Sequence, residues 1–242
     1  MKSKKIKMSR KIKAITFDLD DTFWDVKPVI INAEMKTRKF IEDKVGTLEW
    51  GSWEDFKLIR EKLILKDASY EFDVGKLRKK LLLMKIKERI SDPEAANELS
   101  EKAFQLFFKE RNRVDFFPNV LDEIKKLARI YELGCLTNGN ADIEIIGVDK
   151  FFEFNISSKD VGANKPSENH FHSARELLGL GKDEILHIGD HKINDMLGAI
   201  NYGCKALWFN PAKEVWGLED AKKPFEFSAW KGLTEKINSL YS

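Results

Sequence analysis

Residues 12–25 read Ile12-Lys13-Ala14-Ile15-Thr16-Phe17-Asp18-Leu19-Asp20-Asp21-Thr22-Phe23-Trp24-Asp25. The run from Ile12 to Phe17 is apolar and β-branched, and reads as a buried strand. It stops in three carboxylates within four residues, Asp18, Asp20 and Asp21. Folding alone gives no reason to gather that charge at one edge of a sheet. Like charges repel, and taking them out of water is costly unless a cation or a hydrogen-bond network compensates. If the strand continued, its two-residue side-chain period would put Asp18 and Asp20 on the same side. Two carboxylates there, with a third group nearby, suit a hard cation that prefers oxygen ligands, Mg²⁺ first.

Such a site has an obvious chemistry. One Asp attacks phosphorus and forms an aspartyl phosphate. A second carboxyl, two residues on, protonates the leaving oxygen and then activates water. The metal screens the anionic nucleophile from the anionic substrate. Three further parts are needed: a cation for the phosphate, neutral donors for its oxygens, and more carboxylate for the metal.

Composition bounds the answer. A chain of 242 residues with 43% hydrophobic residues suits one large domain, or one domain carrying an insertion. No run of 18 apolar residues occurs, so no membrane span is expected. The two cysteines, Cys135 and Cys204, sit in apolar sequence and read as buried free thiols in a reducing cytoplasm. The net charge is +2, but seven of the 42 bases fall in the first 13 residues. The remainder is mildly acidic and offers no general nucleic-acid surface. Residues 1–11 read as a basic, solvated tail without the apolar core of a secretory signal.

After the acidic loop the rhythm changes. From about Val29 to about Phe116 the apolar spacing is helical, with faces traced by Ile30, Ala33, Phe40 and Ile41, by Trp50, Trp53 and Phe56, by Leu77, Leu81 and Met84, and by Ala96, Leu99, Ala103 and Phe107. Asp92-Pro93 is a helix start, an N-cap followed by proline. Four helices in this span predict a small bundle. Beyond Phe117-Pro118 strands and helices alternate. Strands are expected at Tyr131–Leu136, Phe154–Ser158, Glu184–Ile188 and Ala206–Phe209, with a helix between the second and third whose face is Phe171, Ala174, Leu177 and Leu178. That alternation predicts an α/β fold, a doubly wound parallel sheet with ligands beyond the carboxyl ends of its strands. Asp20 and Thr137 lie much further apart than one crossover requires. The expected division is therefore a core of residues 12–24 and 115–242, with a helical cap at 25–114 sitting over the acidic loop like a lid.

The missing parts stand at the other strand ends. Thr137 and Asn138 offer a hydroxyl and an amide, and Gly139 permits a tight turn; Thr-Asn-Gly is equally an ordinary turn. Lys165 is followed by Pro166 just before a helix. Gly189-Asp190 ends a strand, and Asp195 falls where the next helix begins; either Asp also reads as an N-cap. The order acid pair, Thr-Asn, Lys, Gly-Asp-x-x-x-x-Asp resembles the haloacid dehalogenase superfamily, whose four motifs these are. The resemblance covers residues 12–24 and about 115–210, and the insertion matches the cap of its type-1 members.

That resemblance implies Asp18 as nucleophile, Asp20 as acid/base, and Thr137 with Asn138 on the phosphoryl group. It implies Lys165 as charge balance for nucleophile and phosphate, and Mg²⁺ on Asp18, Asp190 and the Asp20 carbonyl. Asp195, Asn194 and Thr22 are implied as supports. Asp20 points to phosphatase over dehalogenase, since a departing halide needs no proton; phosphomutase stays open. Residues 17–30, Thr137-Asn138-Gly139-Asn140-Ala141 and Phe151-Phe152-Glu153-Phe154 resemble a bacterial branch acting on flavin mononucleotide and 5-amino-6-(5-phospho-D-ribitylamino)uracil. The implied partner is a small phosphorylated metabolite of that kind, met by a monomer or homodimer; nucleotide 5′-monophosphates, phosphoglycolate and sugar phosphates are alternatives. Trp24, Trp50 and Trp53 are candidates to stack on a flat heterocycle, with filling of the cap core the alternative for Trp50 and Trp53. His187 reads as a neutral core residue. A receiver-like or regulatory phosphate-binding protein is the non-enzyme alternative.

Overall fold

The computed structural model describes residues 11–241, so the basic tail lies outside the described residues except for Lys11. Six strands form one sheet: β1 Ala14–Phe17, β2 Glu132–Thr137, β3 Phe154–Ser157, β4 Ile185–Gly189, β5 Lys205–Phe209 and β6 Phe225–Phe227. Their order is β3-β2-β1-β4-β5-β6, and every neighbouring pair is parallel. The α-helices are α1 Val26–Val45, α2 Trp53–Lys66, α3 Val74–Ile86, α4 Pro93–Arg111, α5 Val120–Leu127, α6 Ile143–Ile146, α7 Ser158–Val161, α8 Asn169–Leu178, α9 Gly198–Tyr202 and α10 Leu233–Tyr241. This is the expected doubly wound α/β sheet, with four helices between β1 and the rest.

Strand β1 is central and wholly buried, which is why its sequence is continuously apolar instead of alternating. Side chains that alternate along the strands fall into two apolar clusters. Phe17, Cys135, Ile188 and Phe209 belong to one, and Leu136, Phe171, Met196 and Trp208 to the other. The sheet is thus covered on both faces. Gly134 on β2 has no room for a side chain, because a Cβ would meet the Phe154 ring at 2.2 Å. In register, Phe17 stands level with both Cys135 and Ile188. The chain therefore leaves β1, β2 and β4 within two residues of one another, at Asp18, Thr137 and Asp190. That shared edge lies where the strand order reverses about β1, the position at which such sheets bind ligands.

Helices α1, α3 and α4, with Leu48 of the loop after α1, bury a cluster of their own, made by Ile41, Leu48, Leu82, Ile86, Ala96, Leu99, Ala103 and Phe104; α2 adds no residue to it. Asp25 caps α1 by accepting from the Lys27 N–H, and Asp92 caps α4 from the Ala95 N–H with Pro93 next. Some expected faces are corrected. On α3 the buried positions are Leu77, Leu82 and Ile86, while Met84 is exposed; three consecutive leucines, Leu81 to Leu83, leave the face undefined by one position. Leu177 of α8 is 65% exposed. Strand β6 and helix α10 were not anticipated.

Where the chain leaves for the insertion and where it returns, it is stitched together. Asp20 bridges Trp24, Trp24 bridges Phe116, and the Phe117 N–H donates to the Phe23 carbonyl at 2.8 Å.

Candidate active site

Strand β1 ends at Phe17, so the alternation that would have set Asp18 and Asp20 on one side does not operate. The Asp18 N–H still donates to the Ile188 carbonyl at 2.9 Å. The chain then turns, with the Thr22 and Phe23 N–H groups donating back to the Leu19 carbonyl and Asp21 at φ +59°. The expectation of two carboxylates side by side is corrected accordingly. The Asp20 carboxylate has partners of its own: its Oδ1 accepts from Trp24 Nε1 at 3.0 Å and its Oδ2 from Arg111 Nη2 at 2.7 Å. The three carboxylates that do meet are Asp18, Asp190 and Asp195, each with an oxygen within 4.8 Å of the others.

Lys165 ties this cluster together. It is 2% exposed, and its Nζ donates to Asp18 Oδ1 at 2.7 Å, Asp195 Oδ1 at 2.6 Å and the Leu136 carbonyl at 2.6 Å. Asn138 sets the lysine's backbone: its Oδ1 accepts from the Lys165 N–H at 2.7 Å and its Nδ2 donates to the Lys165 carbonyl at 3.0 Å. Ser158 Oγ donates to the same Asn138 Oδ1 at 3.1 Å. Asn138 is thus spent on holding Lys165, while Thr137 Oγ1 accepts from the Gly139 N–H at 3.0 Å and keeps its own proton to donate.

Asp190 Oδ1 accepts from Thr22 Oγ1 at 3.0 Å, and its carbonyl accepts from Trp208 Nε1 at 2.7 Å. Asp195 sits in a π-helical turn, Lys192–Leu197, and its Oδ2 accepts from the His191 N–H at 3.0 Å. Neither Asp caps that turn. His191 does, its Nδ1 accepting from the Ile193 and Asn194 N–H groups; Asn194 enters through its backbone. Gly189 is required here, because a Cβ would lie 2.4 Å from the Asp195 carboxyl carbon.

Electrostatics follow from this packing. Burial raises the Asp18 carboxyl well above its ordinary value, against the pull of Lys165 and with Asp195 and Asp190 adding to the rise. Burial, then the Asp195 charge, pushes Asp190 up to about 7. Burial alone would lift Asp195 too, but Lys165 outweighs it and holds Asp195 well below the carboxylate range. Burial works against the ammonium of Lys165, and the two carboxylates more than offset it, so its pKa is raised. Asp18 and Asp190 are therefore short of positive charge, and their donor set is all oxygen. Those residues fit a hard divalent cation.

The neutral core reading of His187 holds, while sequence alone assigns no role to His170, Arg111 or Asn140. His187 is buried under the site, accepting from Thr16 Oγ1 at Nδ1 (2.9 Å) and facing Asp195 Oδ1 from Nε2 at 3.3 Å. His170 Nε2 lies 3.2 Å from the Thr137 carbonyl, a contact that assigns the proton to Nε2. Arg111 holds Asp20, and Asn140 holds Arg111. Asn140 stands in the Thr137–Ala141 stretch, and His170 and Arg111 stand in no motif. Trp24 is corrected as a substrate contact: it is fully buried and serves Asp20. Trp53 is 62% exposed and stacks on Phe56, while Trp50 donates to Glu42.

Burial, and then the charge of Lys165, lowers His170 to about 4 from an ordinary 6.5; burial lowers His187 as well. At these two histidines the unfolded chain takes up protons between about pH 6.5 and about pH 4 that the folded chain refuses, so their contribution to stability is lost as pH falls through that window, while the raised carboxyls of Asp18 and Asp190 act with the opposite sign. His170 alone accounts for about 3 kcal/mol of that loss. Urea unfolding should show the stability of His170→Asn relative to wild type rising as pH falls across this range. Equal pH slopes for the two proteins would contradict the neutral, buried assignment.

The comparisons agree with this geometry. Residues 12–203 match the model of the haloacid dehalogenase-like hydrolases. The chain is 32% identical to the 5-amino-6-(5-phospho-D-ribitylamino)uracil phosphatase YigB of Escherichia coli K12, over 83% of this chain and 84% of that protein. It is 29% identical to a glyceraldehyde 3-phosphate phosphatase of Pyrococcus abyssi, over 84% and 83%. A 2-haloacid dehalogenase structure from Pseudomonas syringae pv. Tomato DC3000 is 31% identical, with TM-score 0.87, over 94% of this chain and 99% of that one. With four fifths of its length matched and the same fold, the chain belongs to the haloacid dehalogenase-like hydrolases.

Proposed function

We propose that this hydrolase is a Mg²⁺-dependent phosphomonoester phosphatase working through an aspartyl phosphate on Asp18. One observation carries the reading: a buried lysine neutralises Asp18 and Asp195 at the strand edge where Asp190 and Thr137 also emerge. Asp18 attacks phosphorus while Thr137 donates to a phosphoryl oxygen and Lys165 balances charge. Asp20 gives its proton to the departing ester oxygen, then takes one from the water that releases phosphate. Asp18 and Asp190, with the Asp20 carbonyl, would hold the metal; Asp195 and Thr22 keep Lys165 and Asp190 in place. When bound, Mg²⁺ supplies charge screening between nucleophile and phosphate.

The relative that acts on a ribityl phosphate, together with the motif likenesses, supports a phosphorylated flavin or its ribityl precursor as substrate. The helical insertion acts as a cap over the strand edge. No helix among the described residues is long and apolar enough to cross a membrane, and the two free, buried cysteines suit a reducing cytoplasm. The dehalogenase neighbour favours a second reading, hydrolysis of a carbon–halogen bond. Asp20 speaks against it, since a leaving halide has no use for an acid held by a tryptophan and a buried arginine.

A panel of esters decides. With Mg²⁺, kcat/KM should be highest for flavin mononucleotide and the ribitylaminouracil phosphate, lower for glyceraldehyde 3-phosphate and phosphoglycolate, and nil for 2-haloacids. EDTA should abolish turnover and Mg²⁺ restore it. Ribityl esters no better than simple sugar phosphates would sink the substrate assignment. Halide release without phosphate release would sink the phosphatase reading.

A further inference from the structure

Arg111 is the last residue of α4 and is 1% exposed. Its Nε donates to Asn140 Oδ1 at 3.0 Å and its Nη2 to Asp20 Oδ2 at 2.7 Å. Trp24, just before α1, donates to the other Asp20 oxygen. The two chain connections at the foot of the insertion thus each place one donor on the same carboxylate. A Cβ on Gly139 would lie 2.7 Å from Asp20 Oδ2, 3.3 Å from Arg111 Nη2 and 3.3 Å from Thr137 Oγ1. Asp20, Arg111 and the phosphate-binding strand end therefore converge on one bare stretch of backbone.

Arg111 Nη1 is buried and has no hydrogen-bond partner among the described residues. Ion pairs that serve only the fold are ordinarily satisfied on every buried donor, because each one left short is costly. A guanidinium anchored by Nε, holding Asp20 by Nη2 and keeping a buried Nη1 unused, is built for a site.

We propose that Arg111 is a positioning residue for Asp20, aiming its carboxyl at the leaving-group oxygen and so governing the cleavage of esters whose alcohol must be protonated. This rests on the phosphatase reading. The Asp18 oxygen bonds to phosphorus as the ester P–O bond breaks, and the Asp20 proton passes to the departing oxygen. Each Asp20 oxygen accepts from one donor and retains a second lone pair for that proton. An aromatic leaving group with an acidic hydroxyl departs without it; an alkoxide does not.

The test compares kcat/KM for glycerol phosphate, a poor leaving group, and p-nitrophenyl phosphate, a good one. This ratio covers only the steps through ester cleavage. Arg111→Gln should lose about 10²-fold or more on glycerol phosphate and less than about 5-fold on p-nitrophenyl phosphate. Asn140→Ala, which frees Nε but leaves the guanidinium, should show the same bias at about 10-fold, and decides the matter alone if Arg111→Gln does not fold. Asp20→Asn supplies the reference pattern, a larger loss biased the same way. Equal losses on both esters, or none on either, would overturn the assignment of Arg111 while leaving the phosphatase reading intact. Wild-type protein that hydrolyses neither ester with Mg²⁺ would instead overturn the phosphatase reading and the assignment with it.

Discussion

Asp18→Asn protein is expected to fold normally and to release phosphate from no ester, with kcat reduced on the order of 10⁴-fold or more. The carboxamide has the shape of the carboxylate, and its oxygen can still accept from Lys165 Nζ, which also keeps Asp195 and the Leu136 carbonyl as partners. It cannot form a mixed anhydride with phosphorus. Burial already works against the charged form of Asp18, so a neutral isostere removes a cost. The melting temperature should stay level or rise by a few degrees, on the scale of about 1 kcal/mol for a chain this size. Phosphate release and a thermal melt on the same preparation check both halves. Activity retained within about a hundredfold of wild type would move the nucleophile elsewhere.

Lys165→Met is expected to be the most destabilising single change at the site. Its Nζ serves two buried carboxylates and a carbonyl. Methionine fills similar space and leaves Asp18 and Asp195 facing each other without a counter-charge. Breaking a buried pair in this way costs about 3–5 kcal/mol, or on the order of 10 °C in melting temperature. Turnover should fall by about 10²-fold or more with the charge balance gone. The pH dependence gives the sign. Without the lysine both carboxyls are raised in the folded state, so the folded chain binds more protons than the unfolded one, and the deficit shrinks as pH falls. Melting near neutrality and again near pH 5, with Lys165→Met/Asp195→Asn as a partial rescue, tests this. A deficit unchanged by pH and by the second substitution would mean that lost packing, not uncompensated charge, is the cause.

The scaffold was legible where a physical constraint leaves a long or abrupt mark on the sequence. A strand buried on both faces has no alternation to solvent, and Ala14 to Phe17 carries no charge and shows none. Carboxylates at its end need a cation, which points to Lys165, and a metal held there needs a further carboxylate, which points to Asp190. The insertion followed from chain length. Other features leave no such mark. Three residues cannot display a period, so Phe225–Phe227 gave no strand signal. Asp20 was misplaced because alternation was extended past Phe17, where the backbone already turns. The cap of the π-helical turn is His191, although the neighbouring aspartates are better formers of such caps; Asp195 had been taken up by Lys165. Arg111 closes a basic, polar helix end that resembles many solvated ones, and only the fold brings it beside a residue 91 positions away.

The stitched foot of the insertion has an evolutionary consequence. Because Trp24 and Phe116 lie side by side, the sheet meets the whole excursion as it would meet a tight turn, and lengthening or replacing it adds only the slowly growing entropy of a larger closed loop. The middle of the excursion can thus change while its two ends, Trp24 and Arg111, keep their hold on Asp20. A lineage rooted in this core can acquire new diets without inventing new chemistry.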